Sequence, residues 1–174
     1  MADASRKRHP EIVLVNGRPR PYPAASSTGV SAVMRGNRKT DTRPELALRR
    51  ALYAAGRRYR VNQLVAVGEY KVRPDLVFGA ARVAVFVDGC FWHGCPIHGT
   101  TPRSNRSYWS AKIAGNIARD KRTTSILRAA GWRVIRIWEH ERVNKSIHRV
   151  GAALDRRRRN PQGSRGGSNL NPQS

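Results

Sequence analysis

Two cysteines and two histidines crowd into the stretch "VDGCFWHGCPIHGTTP", residues 87–102, as Cys90, His93, Cys95 and His98. They are the only cysteines of the chain. Thiolates and imidazoles bind zinc tetrahedrally, and short ligand spacings are what a closed structural site uses. His140, after a later apolar run, is a fifth candidate. Four ligands from five candidates leave one histidine over for other chemistry, and spacing alone does not choose it. The plainer reading, two free thiols beside surface histidines, is hard to reconcile with so dense a cluster.

Carboxylates flank the cluster. Asp75 follows Pro74 at the head of one apolar run, and Asp88 closes the next. If those runs pair as a hairpin, the two acids meet at one edge of a sheet, a setting that suits Mg²⁺. Alone, Asp75 reads as a strand-entry residue. Acids are scarce in this chain, however, and an acid inside an apolar strand needs a partner. Glu45 ends Thr42-Arg43-Pro44-Glu45, which fits a capping box and makes it a helix cap. Lys112, Asn116 and Asp120 fall four residues apart and share one helix face, either a solvated face or a working one. Phe91 and Trp92 are adjacent, so they serve as shields of the cluster or as wedges between bases.

The elements that position these residues alternate between helix and strand. "DTRPELALRRALYAAG" reads as a helix with Leu48, Leu52 and Ala55 on one face and Gly56 near its end. "YKVRPDLVFG" and "ARVAVFVDG" read as two strands of a hairpin. "RSYWSAKIAGNIARDKRTTSILRAAG" is a long helix, with Ser107 as cap and Trp109, Ile113 and Ile117 as a stripe. "WRVIRIWEHE" adds a third strand. The order α-β-β-α-β implies an α/β fold, a mixed sheet covered by helices. Residues 1–28, rich in Pro, Ser and Arg, read as a mobile basic arm, and residues 151–174 as a disordered basic tail. Residues 29–150 are the domain between them.

Lys and Arg number 34 against 11 acids, a formal net charge of +23. The tails do not account for it, since residues 31–150 hold 24 basic and 8 acidic residues. Nucleic acid is the commonest reason for such a charge. No basic amphipathic anchor, apolar span or signal segment points to a membrane. A cytoplasmic location is expected, where a Cys90–Cys95 disulfide would be reduced.

In order from Met34 to Glu141, "MRGNRKTDTRPE", "RPDLVF", "DGCFWH", "YWSAKIAGNIARD" and "GWRVIRIWE" together resemble the very short patch repair (Vsr) endonuclease family. The resemblance implies a restriction-endonuclease-like fold, a mixed β-sheet flanked by helices with a structural zinc site. It implies a Mg²⁺-dependent enzyme that nicks double-stranded DNA beside a T:G mismatch left by 5-methylcytosine deamination, on the T strand. The expected protein is monomeric and nucleoid-associated, with other mismatch-repair proteins as further partners. Asp75 would be the magnesium carboxylate, assisted by the backbone carbonyl of Val87. Glu45 would hold metal-bound water. His93 would be the general base or acid, oriented by Asp120. Met34, Phe91 and Trp92 would wedge into the duplex, with Lys112 and Asn116 near the DNA. Cys90, Cys95, His98 and His140 would then hold the zinc. Asp88 stands where the best-known members have a histidine beside the metal, and is an added candidate ligand. His140 stands where they have a cysteine. Two other functions compete: a restriction-type nuclease acting on modified or matched DNA, and a non-catalytic, zinc-stapled DNA-binding module.

Overall fold

The structure, a computed structural model, describes residues 12–21, 41–100 and 102–159. In chain order the elements are β1 (Val13–Val15), β2 (Arg18–Arg20), α1 (Arg43–Ala54), β3 (Arg60–Val61), β4 (Val65–Val67) and β5 (Tyr70–Val72). There follow β6 (Leu76–Phe78), β7 (Val83–Asp88), α2 (Arg106–Ala129), β8 (Arg133–Trp138) and α3 (Val143–Arg159). The central sheet runs β3-β6-β7-β8. Its first two pairings are antiparallel, and β7 and β8 are parallel. Helix α2 is the crossover that a parallel pair requires. The fold is α/β with a mixed sheet between helices, as the alternation of elements implies.

Side-chain alternation along β7 divides the core in two. Val83 and Val85 join Leu48 and Leu52 of α1 and Val150, Ala153 and Leu154 of α3. Ala84 joins Val134 and Leu127 of α2 on the other face, with Phe86 packed against them. Asp88, next in that second series, is therefore delivered to the α2 face. So is Arg136, which lies between Ile135 and Ile137 of the first face. Leu52 is fully buried, and truncating it to alanine should cost about 2–5 kcal/mol.

Helix α1 starts as the sequence suggests. Thr42 caps it, accepting from Glu45 N at 3.5 Å, and a proline sits in its first turn, where its missing N–H costs nothing. Leu48 and Leu52 are buried, whereas Ala55 lies past the helix end and is exposed. At α2 the expected cap is wrong. Asn105 takes the cap position at φ 53° with no side-chain cap bond, and Ser107 lies inside the first turn. The stripe shifts as well, with Tyr108, Trp109, Asn116, Thr123 and Leu127 buried and Ile113 and Ile117 only partly so.

Three further expectations change. "YKVRPDLVFG" is two strands, because Pro74 interrupts it: Tyr70–Val72 pairs with β4, and Leu76–Phe78 with β7. Within the arm, residues 13–20 form a hairpin around Asn16-Gly17, both at positive φ (51° and 74°). That Asn-Gly turn matches the twist of paired strands, and β1 lies against α2. At the other end, α3 carries on through Arg156–Arg159, held by its buried Val150, Ala153 and Leu154. Arg57 pins it to the end of α1 through both oxygens of Asp155, at 2.9 and 3.2 Å. The arginine run at the helix C-terminus also complements the helix dipole.

Candidate active site and metal centre

Parallel register brings two distant segments together. Asp88 pairs with Trp138, and Glu139 N donates to Asp88 O at 2.9 Å. The residues just past the two strands, Cys90 and His140, are therefore neighbours. Cys90 Sγ lies 3.0 Å from His140 Nδ1 and 3.9 Å from His98 Nδ1, and Cys95 Sγ lies 3.8 Å from His140 Nδ1. One ligand atom from each of Cys90, Cys95, His98 and His140 lies within 4.8 Å of all the others. A tetrahedral zinc shell has ligand–ligand edges of roughly 3.3–3.8 Å, so this donor set fits. Burial, with Cys95 and Glu139 nearby, pushes the Cys90 thiol up to about 12. A cation is what would reverse that penalty. His98 N donates to Cys95 Sγ at 3.4 Å and Cys90 N to Glu139 Oε1 at 2.6 Å, fixing the loop around the cluster.

His93 is set apart from this group. His93 N bonds to Gly89 O and Cys95 N to Cys90 O, winding the loop into turns. Asn116 Nδ2 of α2 donates to Trp92 O at 2.9 Å. Gly94, at φ 63°, lies so close under Ile113 and Ile117 that a Cβ there would collide with Ile117 Cδ1. Thus docked, the loop places His93 Nδ1 2.5 Å from Asp120 Oδ2. Burial raises the Asp120 carboxyl, but the bond from His93 and the charge of Arg136 outweigh it, and the net shift is downward. An ionised carboxylate only accepts, so Nδ1 carries the proton and Nε2 remains for proton transfer.

Asp88 and Asp120 share a further partner. Arg136 Nε lies 2.6 Å from Asp88 Oδ2 and its Nη2 2.5 Å from Asp88 Oδ1, while Nη2 is 3.1 Å from Asp120 Oδ1. Asp88 Oδ1 is also 3.7 Å from His93 Nδ1. Asp88, His93, Asp120, Lys121, Arg136 and Trp138 line one cleft of about 700 Å³. The sequence reading missed Arg136. Its one signal is a charge in mid-strand in "WRVIRIW", on a face that must be covered.

Asp75 lies at the head of β6, and Val87 N donates to its Oδ2 at 2.7 Å. Burial raises its pKa to about 6 against that bond, helped by the negative charges of Glu45 and Asp88. The two acids expected to meet therefore do sense one another, but Asp88 is spoken for by Arg136. A carboxylate in that state, with Oδ1 making no hydrogen bond among the described residues, suits a divalent cation. Glu45 is buried and works as a cap: its Oε1 accepts from Thr42 Oγ1 at 2.9 Å and its Oε2 from Asp41 N at 3.0 Å. Arg49 adds an ion pair to Glu45 at 3.3 Å and another to Asp41.

Phe91 and Trp92 pack edge-on to each other at 4.9 Å and to Trp109 at 5.4 and 5.9 Å. Both remain half-buried. Lys112 and Asn116 lie on the face of α2 that carries Asp120, but Asn116 is buried and spends its amide on the loop. Met34 lies outside the described residues. A second cleft, of about 630 Å³, runs beside β8 and is lined by Arg128, Arg133, Arg149, Arg156 and Arg157 around Trp132. Arg128 lines both clefts. Among the described residues no helix is long and apolar enough to cross a membrane.

Residues 26–98 match the family model described as DNA mismatch endonuclease Vsr. The chain is 49% identical over 130 residues to the type II nicking enzyme V.NaeI of Lentzea aerocolonigenes, covering 74% of this chain and 78% of that one. It is 44% identical over 111 residues to the type II nicking enzyme V.XorIIP of Xanthomonas oryzae pv. oryzae, covering 63% and 78%. With the DNA mismatch endonuclease Vsr of Escherichia coli the identity is 36% over 108 residues, covering 61% and 66%.

Proposed function

The chain belongs to the Vsr family of DNA endonucleases, and from that premise we propose that it nicks duplex DNA beside a T:G mismatch, on the strand carrying the T. The observation that carries this reading is the His93–Asp120 pair, 2.5 Å apart in a cleft whose Asp88 is felt by the raised, one-bond carboxylate of Asp75. Membership in an endonuclease family leaves no room for the non-catalytic module.

Asp75 and the carbonyl of Val87 would hold Mg²⁺, and Glu45, already spanning Thr42 and Asp41, would steady a water beside it. When bound, Mg²⁺ supplies charge stabilisation at the phosphate and a more acidic water. The protein does the rest. Asp120 keeps the proton on His93 Nδ1, so that Nε2 takes a proton from the attacking water or gives one to the leaving oxygen. Cys90, Cys95, His98 and His140 would hold one structural zinc, tying the loop that carries His93 to the end of β8. Phe91, Trp92 and Met34 would wedge beside the mismatch, with Lys112 and Asn116 at the duplex. The basic clefts would seat its phosphates. One such site cuts one strand, which a monomer suffices to do.

Several relatives are named type II nicking enzymes, which favours testing matched DNA alongside. The deciding experiment compares nicking of T:G, T:A and methylated C:G duplexes of one sequence with Mg²⁺ and with EDTA. Cleavage confined to T:G and abolished by EDTA is expected. Equal cleavage of matched duplexes would support the restriction-type reading instead.

A further inference from the structure

We propose that the guanidinium of Arg136 fills the cation position between Asp88, His93 and Asp120, so that this active site takes a single divalent ion, at Asp75. The inference rests on the reading of Asp75 as the metal carboxylate.

Three donor atoms, one each from Asp88, His93 and Asp120, lie within 4.8 Å of one another, a spacing that alone would suggest a second metal ion. The contacts argue otherwise. Arg136 engages both oxygens of Asp88 in a fork, at 2.6 and 2.5 Å. It reaches Asp120 Oδ1 at 3.1 Å, and the other oxygen of Asp120 is taken by His93 Nδ1. Three of the four carboxylate oxygens are thus hydrogen-bonded and the fourth, Asp120 Oδ1, is ion-paired with the same guanidinium. A guanidinium does not lose its charge at any working pH, and its planar fork matches the two oxygens of a carboxylate.

Arg136 is also not free to leave. It sits on the α2 face by strand alternation, with its guanidinium carbon 5.0 Å from the centre of the Phe86 ring. Its Nη1 is buried without a hydrogen-bond partner among the described residues, a cost that the contacts of Nε and Nη2 with the two acids must outweigh. Asp88 is only 3% exposed, and a buried carboxylate stripped of its partner is strongly destabilising. The network therefore does part of what a second metal would do: one positive charge is shared between two acids, and the His93 ring is held. Arg136 is on this view a positioning residue, acting through Asp88 and Asp120.

Counting Mn²⁺ bound per zinc-loaded chain by electron paramagnetic resonance, with nicking rates alongside, tests this. Wild type should bind one Mn²⁺, Asp75→Ala none and Asp88→Asn still one. Arg136→Met should bind two, the second disappearing in Arg136→Met/Asp88→Asn, and its kcat should fall about a hundredfold at unchanged KM, the scale of a misplaced catalytic group. Arg136→Lys, which keeps a cation in place, should bind one and recover part of kcat, and it stands in if the methionine variant fails to fold. Two Mn²⁺ in wild type with one lost in Asp88→Asn would overturn the proposal, as would a single Mn²⁺ in folded Arg136→Met or two in Arg136→Lys. One Mn²⁺ retained by Asp75→Ala would instead overturn the premise about Asp75.

Discussion

His93 Nδ1 and Asp120 Oδ2 lie 2.5 Å apart although 27 positions separate them in the chain. The imidazole comes from a loop and the carboxylate from mid-helix. Only the docking of that loop on α2, through Asn116 and Gly94, brings them together. Asp120→Asn replaces the acceptor-only carboxylate with an amide that can also donate, so the proton is no longer held on Nδ1. Its kcat should fall by roughly a hundredfold or more with little change in DNA affinity, as expected when a general base is misoriented. Single-turnover nicking at saturating DNA measures it, and an unchanged rate would remove Asp120 from the site.

The raised pKa of Asp75, about 6 against an ordinary 3.8, makes stability depend on pH. A carboxyl whose folded pKa lies above its unfolded value binds the proton more tightly when folded. Its stabilisation is complete below the unfolded pKa and is lost as pH rises through about 6. In metal-free protein, Asp75→Asn should therefore raise the melting temperature at pH 8 much more than at pH 4, by up to about 2–3 kcal/mol of stability. Added Mg²⁺ should stabilise wild type at pH 8 and do little for the asparagine variant. Parallel melting curves at the two pH values provide the check, and a pH-independent gain would disprove the charge argument.

For the Cys/His cluster, one zinc per chain is expected by elemental analysis. Cys95→Ala or His140→Ala should lose it, with a large drop in melting temperature, because metal-binding free energy is folding free energy in such sites. His93→Ala should keep the zinc and lose nicking. Loss of zinc from His93→Ala together with its retention in His98→Ala would overturn the ligand assignment.

Trp92 has a packing role and a proposed reading role, and one variant separates them. Trp92→Ala breaks two edge-on ring contacts, with Phe91 and Trp109. If the ring wedges into the duplex, the preference for T:G over T:A should drop about tenfold or more, since unstacking a step is worth a few kcal/mol. If it only packs, melting temperature falls and the cleavage ratio stays where it was. Measuring both on the same protein decides between them.

Much of this protein is determined by local sequence. The α/β alternation, the cap at Thr42 and the apolar strands follow from periodicity and turn residues, which are properties of neighbours in the chain. Three of the four zinc candidates are legible for the same reason, lying within nine residues. The Asn16-Gly17 hairpin and the helix through Arg156–Arg159 were not legible in this way, because proline- and arginine-rich surroundings carry no sustained period. Tertiary structure decided the rest. His140 joins Cys90 only because β7 and β8 run parallel with Asp88 opposite Trp138. That same register sets Arg136 against Asp88, and the alternation of strand faces turns both toward Asp120 on α2. Register and face are set by which apolar surfaces cover which sheet, a choice made by the whole core and not by the spacing of any one motif.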